Sequence, residues 1–356
     1  MNKKKIMFVL LAGLVLGACS KDSDELIAQQ PQEQQAQEEQ QQPVKFYPLS
    51  IEVAENPMVT DGEEDSNATR AAITTGTTLD GFNMNYVYGD ADPGSLTATK
   101  TSEGQWTNTE GGWPSGAVDG NPTVYWYAST SGTFNRTDDA NKLPYINFLT
   151  DETANLQHDL LVATASGTYS GTGGNLSFTF DHACSAVRLF VKKSTNLNGY
   201  TLNISKIVLH NVVKQGKYYY GTGAWDLTSE RTNYTLYEGS AKTLGSADYE
   251  AIFGKAGTPY GTSEAPYLFL IPQTMTAWDR ATAIASATTQ CYLELTCTIV
   301  NTSTSTTVHN GTAYIPFAIS TTSGSPTLEK GKKYNVKINI GKNSLYSGPG
   351  TKIINS

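Results

Sequence analysis

The residues of this 356-residue chain that could do chemistry are few: four histidines, four cysteines, two acidic turns and some clustered aromatics. His158, His182, His210 and His309 lie far apart, and none stands in an HxxxH or HExxH pattern. With the scattered cysteines they make no zinc spacing. Cys291 and Cys297 share one strand-like run, where about 3.3 Å per residue puts them roughly 20 Å apart. That is beyond disulfide reach, so at most one bridge is open, through Cys184. Three buried apolar thiols are the expectation. "YGDADPG" (88–94) and "RTDDAN" (136–141) carry the carboxylates calcium takes, but neither has EF-hand spacing. There is no GxSxG elbow, no P-loop and no GxGxxG after a strand. Trp126, between Tyr125 and Tyr127, is a candidate for stacking on a sugar, with core packing the competing reading. No catalytic, cofactor-binding or metal-ligating residue is expected, and the sequence does not point to an enzyme.

Two residues stand out for their position. His182, in "FTFDHACSAV", sits where apolar parity switches from even (Leu176, Phe178, Phe180) to odd (Val187, Leu189, Val191). It therefore belongs at a bend between two strands, in a structural role. Arg70, in "EEDSNATRAAITTG", is the first arginine of the chain and stands in a small polar stretch.

The elements that must position these residues begin with a leader. Lys3, Lys4 and Lys5 precede the apolar run 6–16, which is too short to span a bilayer and reads as a signal peptide. It ends in "LGAC", which resembles a bacterial lipobox and makes Cys19 the expected lipidation site. Residues 26–43, rich in Gln and Glu, read as a solvated tether. Leu49, Ile51 and Val53 then alternate with polar residues, as in one half-buried strand. A lone strand is not stable, so it must join a sheet elsewhere. After it the sequence loosens again towards Arg70.

From Ala71 onward Thr, Ser, Gly, Tyr and Val dominate and helical periodicity is nearly absent. Short runs recur between turn residues: "TVYWYAS" (123–129), "LSFTF" (176–180), "VRLFV" (187–191), "KIVLH" (206–210), "YLFLIP" (267–272), "CYLELTCTIV" (291–300) and "YNVKINI" (334–340). This is an all-β pattern. In 291–299 the odd positions are apolar and the even ones mostly polar, giving one core face and one wet face. A break near 192–199 divides the folded part. The net charge of −8, with no basic patch, argues against nucleic acid.

Taken in order, the lipobox at Cys19, the Thr69-Arg70-Ala71 junction, "VYWYAS", "LSFTFDHACSAVRLFV", "KIVLHNVVKQGKYYYGTGAWDL", "YLFLIPQT" and "LEKGKKYNVKINI" resemble the fimbrillins. These are the type V pilins, surface pilus subunits derived from lipoproteins. The resemblance implies two consecutive transthyretin-like β-sandwich domains after a signal peptide (1–18) and a propeptide (19–70). The domains would span 71–195 and 196–356. It implies an arginine-specific protease cutting between Arg70 and Ala71, releasing lipid, tether and the strand Leu49–Val53 together. The displaced strand, with Leu49, Ile51 and Val53, would then be replaced by a neighbour's C-terminal strand. Here the candidate donor is 334–356, with Tyr334, Val336, Ile338 and Ile340 as its alternating plug. A head-to-tail contact of that kind does not close, so it builds a fibre. The implied partners are other pilin subunits in a homopolymer, the protease, and the outer membrane through the lipid before cleavage. The implied location is the outer surface of the outer membrane, then a fimbrium. A lipid-anchored surface protein that binds glycan or host protein without polymerising is the alternative.

Overall fold

The computed structural model describes residues 49–56, 58–60, 79–108, 112–137, 143–154, 157–171, 173–251, 267–319 and 327–354. Cys19, Arg70, Ala71 and most of the acidic turn at 136–141 lie outside them. The all-β expectation holds: among the described residues the regular structure is strand, with a few single 3-10 turns.

The N-terminal sheet has seven strands, in the order β1 (Leu49–Glu55), β10 (Gly174–His182), β9 (Leu161–Gly167), β6 (Val124–Ser129), β3 (Gly81–Val87), β4 (Gly94–Lys100), β5 (Trp106–Asn108). Its two edge strands, β1 and β5, approach each other, so the sheet rolls back around its own core. Met84, Trp126, Phe178 and Phe180 are fully buried there, with Ile51 of β1 among them. Trp126 is therefore core, and the sugar-stacking candidate is overturned. In β6 the alternation turns Trp126 inward and Tyr125 and Tyr127 outward.

A second sheet runs β16 (Glu250–Ala251), β11 (Ser185–Lys193), β20 (Lys332–Ile340), β2 (Val59–Thr60), with β17 (Leu268–Leu270) also pairing with β11. A third runs β15 (Arg231–Thr243), β12 (Tyr200–Val213), β18 (Tyr292–Asn301), β19 (Thr307–Pro316), β21 (Tyr346–Gly348), β22 (Thr351–Lys352). These two sheets enclose the largest core, built from alternate residues such as Leu189, Val191, Leu202, Leu293, Leu295 and Ile340. In β18 the odd positions 293 to 299 are all buried, as their alternation predicts. β11 precedes the expected division at 195/196, and its Val187, Leu189 and Val191 point into this core. The last sheet, β14 (Trp225–Leu227), β13 (Gln215–Tyr219), β8 (Tyr145–Leu149), β7 (Thr133–Asn135), covers a third cluster around Ile146, Phe148 and Cys184. Cys184, Cys291 and Cys297 are all buried free thiols.

The chain from Met58 does not loosen at once, contrary to the sequence expectation. Glu55 and Asn56 continue along β10, Met58 is buried in the third cluster, and Val59–Thr60 pairs with the start of β20. The segment 49–60 thus touches two sheets and two cores. Its apolar signal is thin because one methionine and two backbone pairs do the work.

Candidate functional site

β1 lies in a slot. It pairs in parallel with β10 along its whole length, in the register Ile51 to Leu176, Val53 to Phe178 and Glu55 to Phe180. Ile51 is buried, while Leu49 and Val53 are half-buried against the same core. The slot is narrow at its start, where Gly174 faces Leu49. A Cβ on Gly174 would come within 2.4 Å of the Trp113 ring, so only glycine admits both. On the outer face Ser177 Oγ donates to the Glu52 carboxylate at 3.4 Å. Beyond the strand, the Asn56 amide donates to the Phe180 carbonyl at 2.8 Å, and Asn56 Nδ2 donates to Asp181 at 2.7 Å.

His182 closes the far end. β10 buries every second residue, so Leu176, Phe178, Phe180 and His182 share one inward face. His182 is the last residue of β10, at the bend expected from the parity switch. Its Nδ1 is hydrogen-bonded to the carboxylate of Asp159, whose side chain is itself buried. Its Nε2 lies 3.2 Å from Glu55 Oε1 at ion-pair distance, without hydrogen-bond alignment. Glu55 stands on the face of β1 that carries Leu49, Ile51 and Val53. Burial opposes the imidazolium, but Asp159 and Glu55 outweigh it and push the His182 pKa up to about 9. His210 shows the converse: burial outweighs its single carboxylate, Glu294 at 3.1 Å, and lowers its pKa. The Cys184 thiol next door is pushed well up, first by burial and then by Asp159, and stays neutral.

The expected plug residues lie in β20, also parallel to its neighbour. Tyr334 pairs with Val187, Val336 with Leu189, Ile338 with Val191 and Ile340 with Lys193. Tyr334 and Ile340 are buried in the large core, with Val336 and Ile338 packed against it. On its other side β20 meets β2 at Lys332 and Lys333, and among the described residues no strand covers 335–340 there. The chain after Ile340 is held differently. Leu345 and Ile354 are buried and Ile353 packs beside them. Tyr346 meets Trp278 edge-on at 5.8 Å, and its one register pair with β19 is to Tyr314. The Gly350 amide donates to the Arg280 carbonyl at 2.7 Å, beside an Arg280 guanidinium 5.7 Å from the Tyr346 ring.

Elsewhere, the turn at 88–94 has its Gly89 and Ala91 carbonyls taken by the Arg136 guanidinium at 2.6 and 2.7 Å. Tyr125 is 52% exposed, and beside it Tyr127 stacks on Phe134 at 5.3 Å. Sequence reading found β1, β20 and the His182 bend. It missed Glu55 and Asp159, although Glu55 continues the odd-numbered inward face one step past Val53.

A family model described as fimbrillin-like matches residues 66–354. Among solved structures, a fimbrial protein from Bacteroides vulgatus is similar at 17% identity and a TM-score of 0.46, covering 82% of this chain and 95% of that one. A putative cell adhesion protein from Bacteroides ovatus follows at 16% and 0.44, covering 85% and 95%. One from Bacteroides uniformis is at 16% and 0.41, covering 85% and 96%. No curated protein matches.

Proposed function

Because the chain belongs to the fimbrillin-like family, we propose that it is a structural subunit of a surface fimbrium that supports adhesion. It is exported as a lipoprotein through Cys19, cut between Arg70 and Ala71 by an arginine-specific protease, and polymerised by strand exchange. The carrying observation is the placement of β1. It is a sheet-edge strand that fills a core, and it lies upstream of Arg70. Losing residues 19–70 removes β1 from β10, Met58 from the third cluster and β2 from β20. One cut would then bare an edge and a groove beside β10 and free the covered start of β20. Exposed strand edges recruit other strands, and strand addition supplies both backbone hydrogen bonds and side-chain pockets.

Cutting alone does not evict β1, because its ladder, its buried Ile51 and its ion pair persist. A competing strand must take its place, supplied by the C-terminal segment 334–356 of another subunit. The part after Gly341 leaves first, since a single register pair ties it to β19 at a sheet edge, and its exit withdraws Leu345 and Ile354 from the large core and Tyr346 from Trp278. β20 follows only by giving up β11. Incubating the purified protein with an arginine-specific protease should yield a new N-terminus at Ala71 and a ladder of heat-stable oligomers. Arg70→Ala should give neither, and unchanged polymerisation of that variant contradicts the processing step.

A second reading, an anchored monomeric binder, is favoured by the exposed Tyr125 beside Tyr127 and Phe134. It predicts surface protein that keeps residues 19–70.

A further inference from the structure

β1 presents four inward positions, Leu49, Ile51, Val53 and Glu55. The first three meet apolar residues and the fourth meets a buried histidine. We propose that His182, oriented by Asp159, reads the charge of whatever strand lies beside β10. It accepts a strand with apolar residues at alternate positions and a carboxylate where Glu55 sits, and it opposes one with a cation or an apolar residue there. This rests on the strand-exchange reading and adds a rule for which strand is taken.

The geometry supports the rule from three directions. His182 is buried, with a side chain 4% exposed, so a charge there cannot be answered by water. Its Nδ1 is already committed to Asp159, which leaves Nε2 as the atom that faces the incoming strand. The remaining groups around it offer no substitute for Glu55. Asp181, next in β10, points to the other face and holds Asn56. Cys184, after the bend, is neutral. Lys330, before β20, is engaged with the Tyr218 hydroxyl at 3.4 Å.

The chain's own C-terminal strand fails this rule. With Tyr334, Val336 and Ile338 placed on Leu49, Ile51 and Val53, Ile340 falls opposite His182. Shifted by one pair, with Val336, Ile338 and Ile340 on those positions, Lys342 falls there. No Asp or Glu occurs between residues 330 and 356. In β1's direction and in either register, a second copy therefore leaves the His182–Asp159 pair without its second carboxylate. The Lys342 register adds a like charge, and like charges placed together at an interface are strongly selected against. The slot thus retains β1 in the uncut chain, holds the strand of a second copy less tightly than it held β1, and holds most tightly a donor strand that carries an acid at the sixth residue after its first apolar one.

The effect follows the charge of His182. The imidazolium is the form that draws a carboxylate and repels Lys342, and its pKa is raised to about 9. With Glu55 in place the attraction is full below about pH 6.5 and is lost as the pH rises through about 9; without a carboxylate there, the raising effect of Glu55 is gone and the imidazolium is lost at lower pH.

The test uses the full chain in two arms. In the first, hydrogen exchange of the β1 amides is followed in Glu55→Gln, Glu55→Lys, His182→Gln and the double variants, with β12 and β18 amides as the control for global folding. Glu55→Lys should speed β1 exchange by about tenfold or more, the scale of a like-charge contact, Glu55→Gln by less, and His182→Gln should abolish the difference between them. In the second arm, labelled synthetic peptides of residues 47–58, native or with Glu55→Gln or Glu55→Lys, compete for the slot of the folded wild-type chain after it has been cut by the arginine-specific protease, when β1 is no longer tethered. The native peptide should enter best at pH 7, and the three should converge above pH 10. If β1 exchange is indifferent to the residue at 55, or the ranking survives His182→Gln, the proposal is wrong. If no peptide enters under any condition, strand exchange fails, and the first arm still decides the role of His182.

Discussion

β1 and β20 do the same thing in two halves of the molecule. Each is a strand laid in parallel beside one arm of the β10–β11 pair, in sheets whose other described strand pairs, β2 with β20 apart, run antiparallel. Each offers alternate apolar residues to a core, and His182 marks the bend between their hosts. The difference lies in what surrounds them. β1 is an outermost strand with its polar fourth position set against a buried cation. β20 has β11 on one side and the start of β2 on the other, and its inward positions are apolar throughout. The strand at the sheet edge, β1, is held partly by charge. The strand between β11 and β2, β20, is held on its inward face by apolar contact. Charge makes β1's hold conditional on its partner and on pH; apolar burial offers no such control.

The contrast can be broken most severely in β20. Ile340→Asp places an unpaired carboxylate at a fully buried site, which costs several kcal/mol and should leave the chain unfolded by circular dichroism. Val53→Asp, at a half-buried edge position, should leave the far core intact and speed exchange only in β1. Equal effects would show that the two strands are not held differently. Next in size is the pH response. His182 has its pKa raised, so its contribution to stability is complete below about pH 6.5 and is lost as the pH climbs through about 9. At roughly 1.4 kcal/mol per unit, this amounts to about 3 kcal/mol. His182→Gln should flatten that part of the urea-midpoint profile between pH 6.5 and 10, and an unchanged slope would remove the ion pair from the account. Ile51→Ala should cost about 2–4 kcal/mol by transfer and cavity terms, expressed as faster opening of β1 while β12 and β18 stay protected. The smallest change is Tyr346→Ala. It removes the edge contact with Trp278, worth about 0.5–1.5 kcal/mol beyond the area buried. It should loosen residues 345–354 in proteolysis without lowering the main transition.

How far the sequence reveals this depends on where the information resides. The alternation of Leu49, Ile51 and Val53, of the odd residues of 291–299, and of Tyr334 to Ile340 is local, so the strands and their inward faces were readable. The parity switch around His182 was local too, and located the bend. The parallel pairing of β1 with β10 joins positions 125 apart, and nothing in either strand alone names its host. Asp159 is 23 residues from His182 and reaches it only through the β9–β10 pairing. Val59–Thr60 escaped notice because a two-residue strand has no period. Trp126, among three aromatics in a row, could be read as a stacking platform or as core, and the alternation that turns Tyr125 outward buries it. The four apolar residues after Ile340 are sparse but all used, three in the chain's own large core and Tyr346 against Trp278.

The central claim, that a neighbour's strand takes β1's place, is tested most directly at Ser177. This residue is on the exposed face of β10, with its hydroxyl beside Glu52 of β1. A photo-cross-linking side chain at position 177 reports by mass spectrometry which segment lies alongside. In the uncut chain it should capture residues 49–55 of the same molecule, and in protease-grown polymer it should capture residues 334–356 of another. If the polymer still yields cross-links to residues 49–55, β1 has not been exchanged and the account is contradicted.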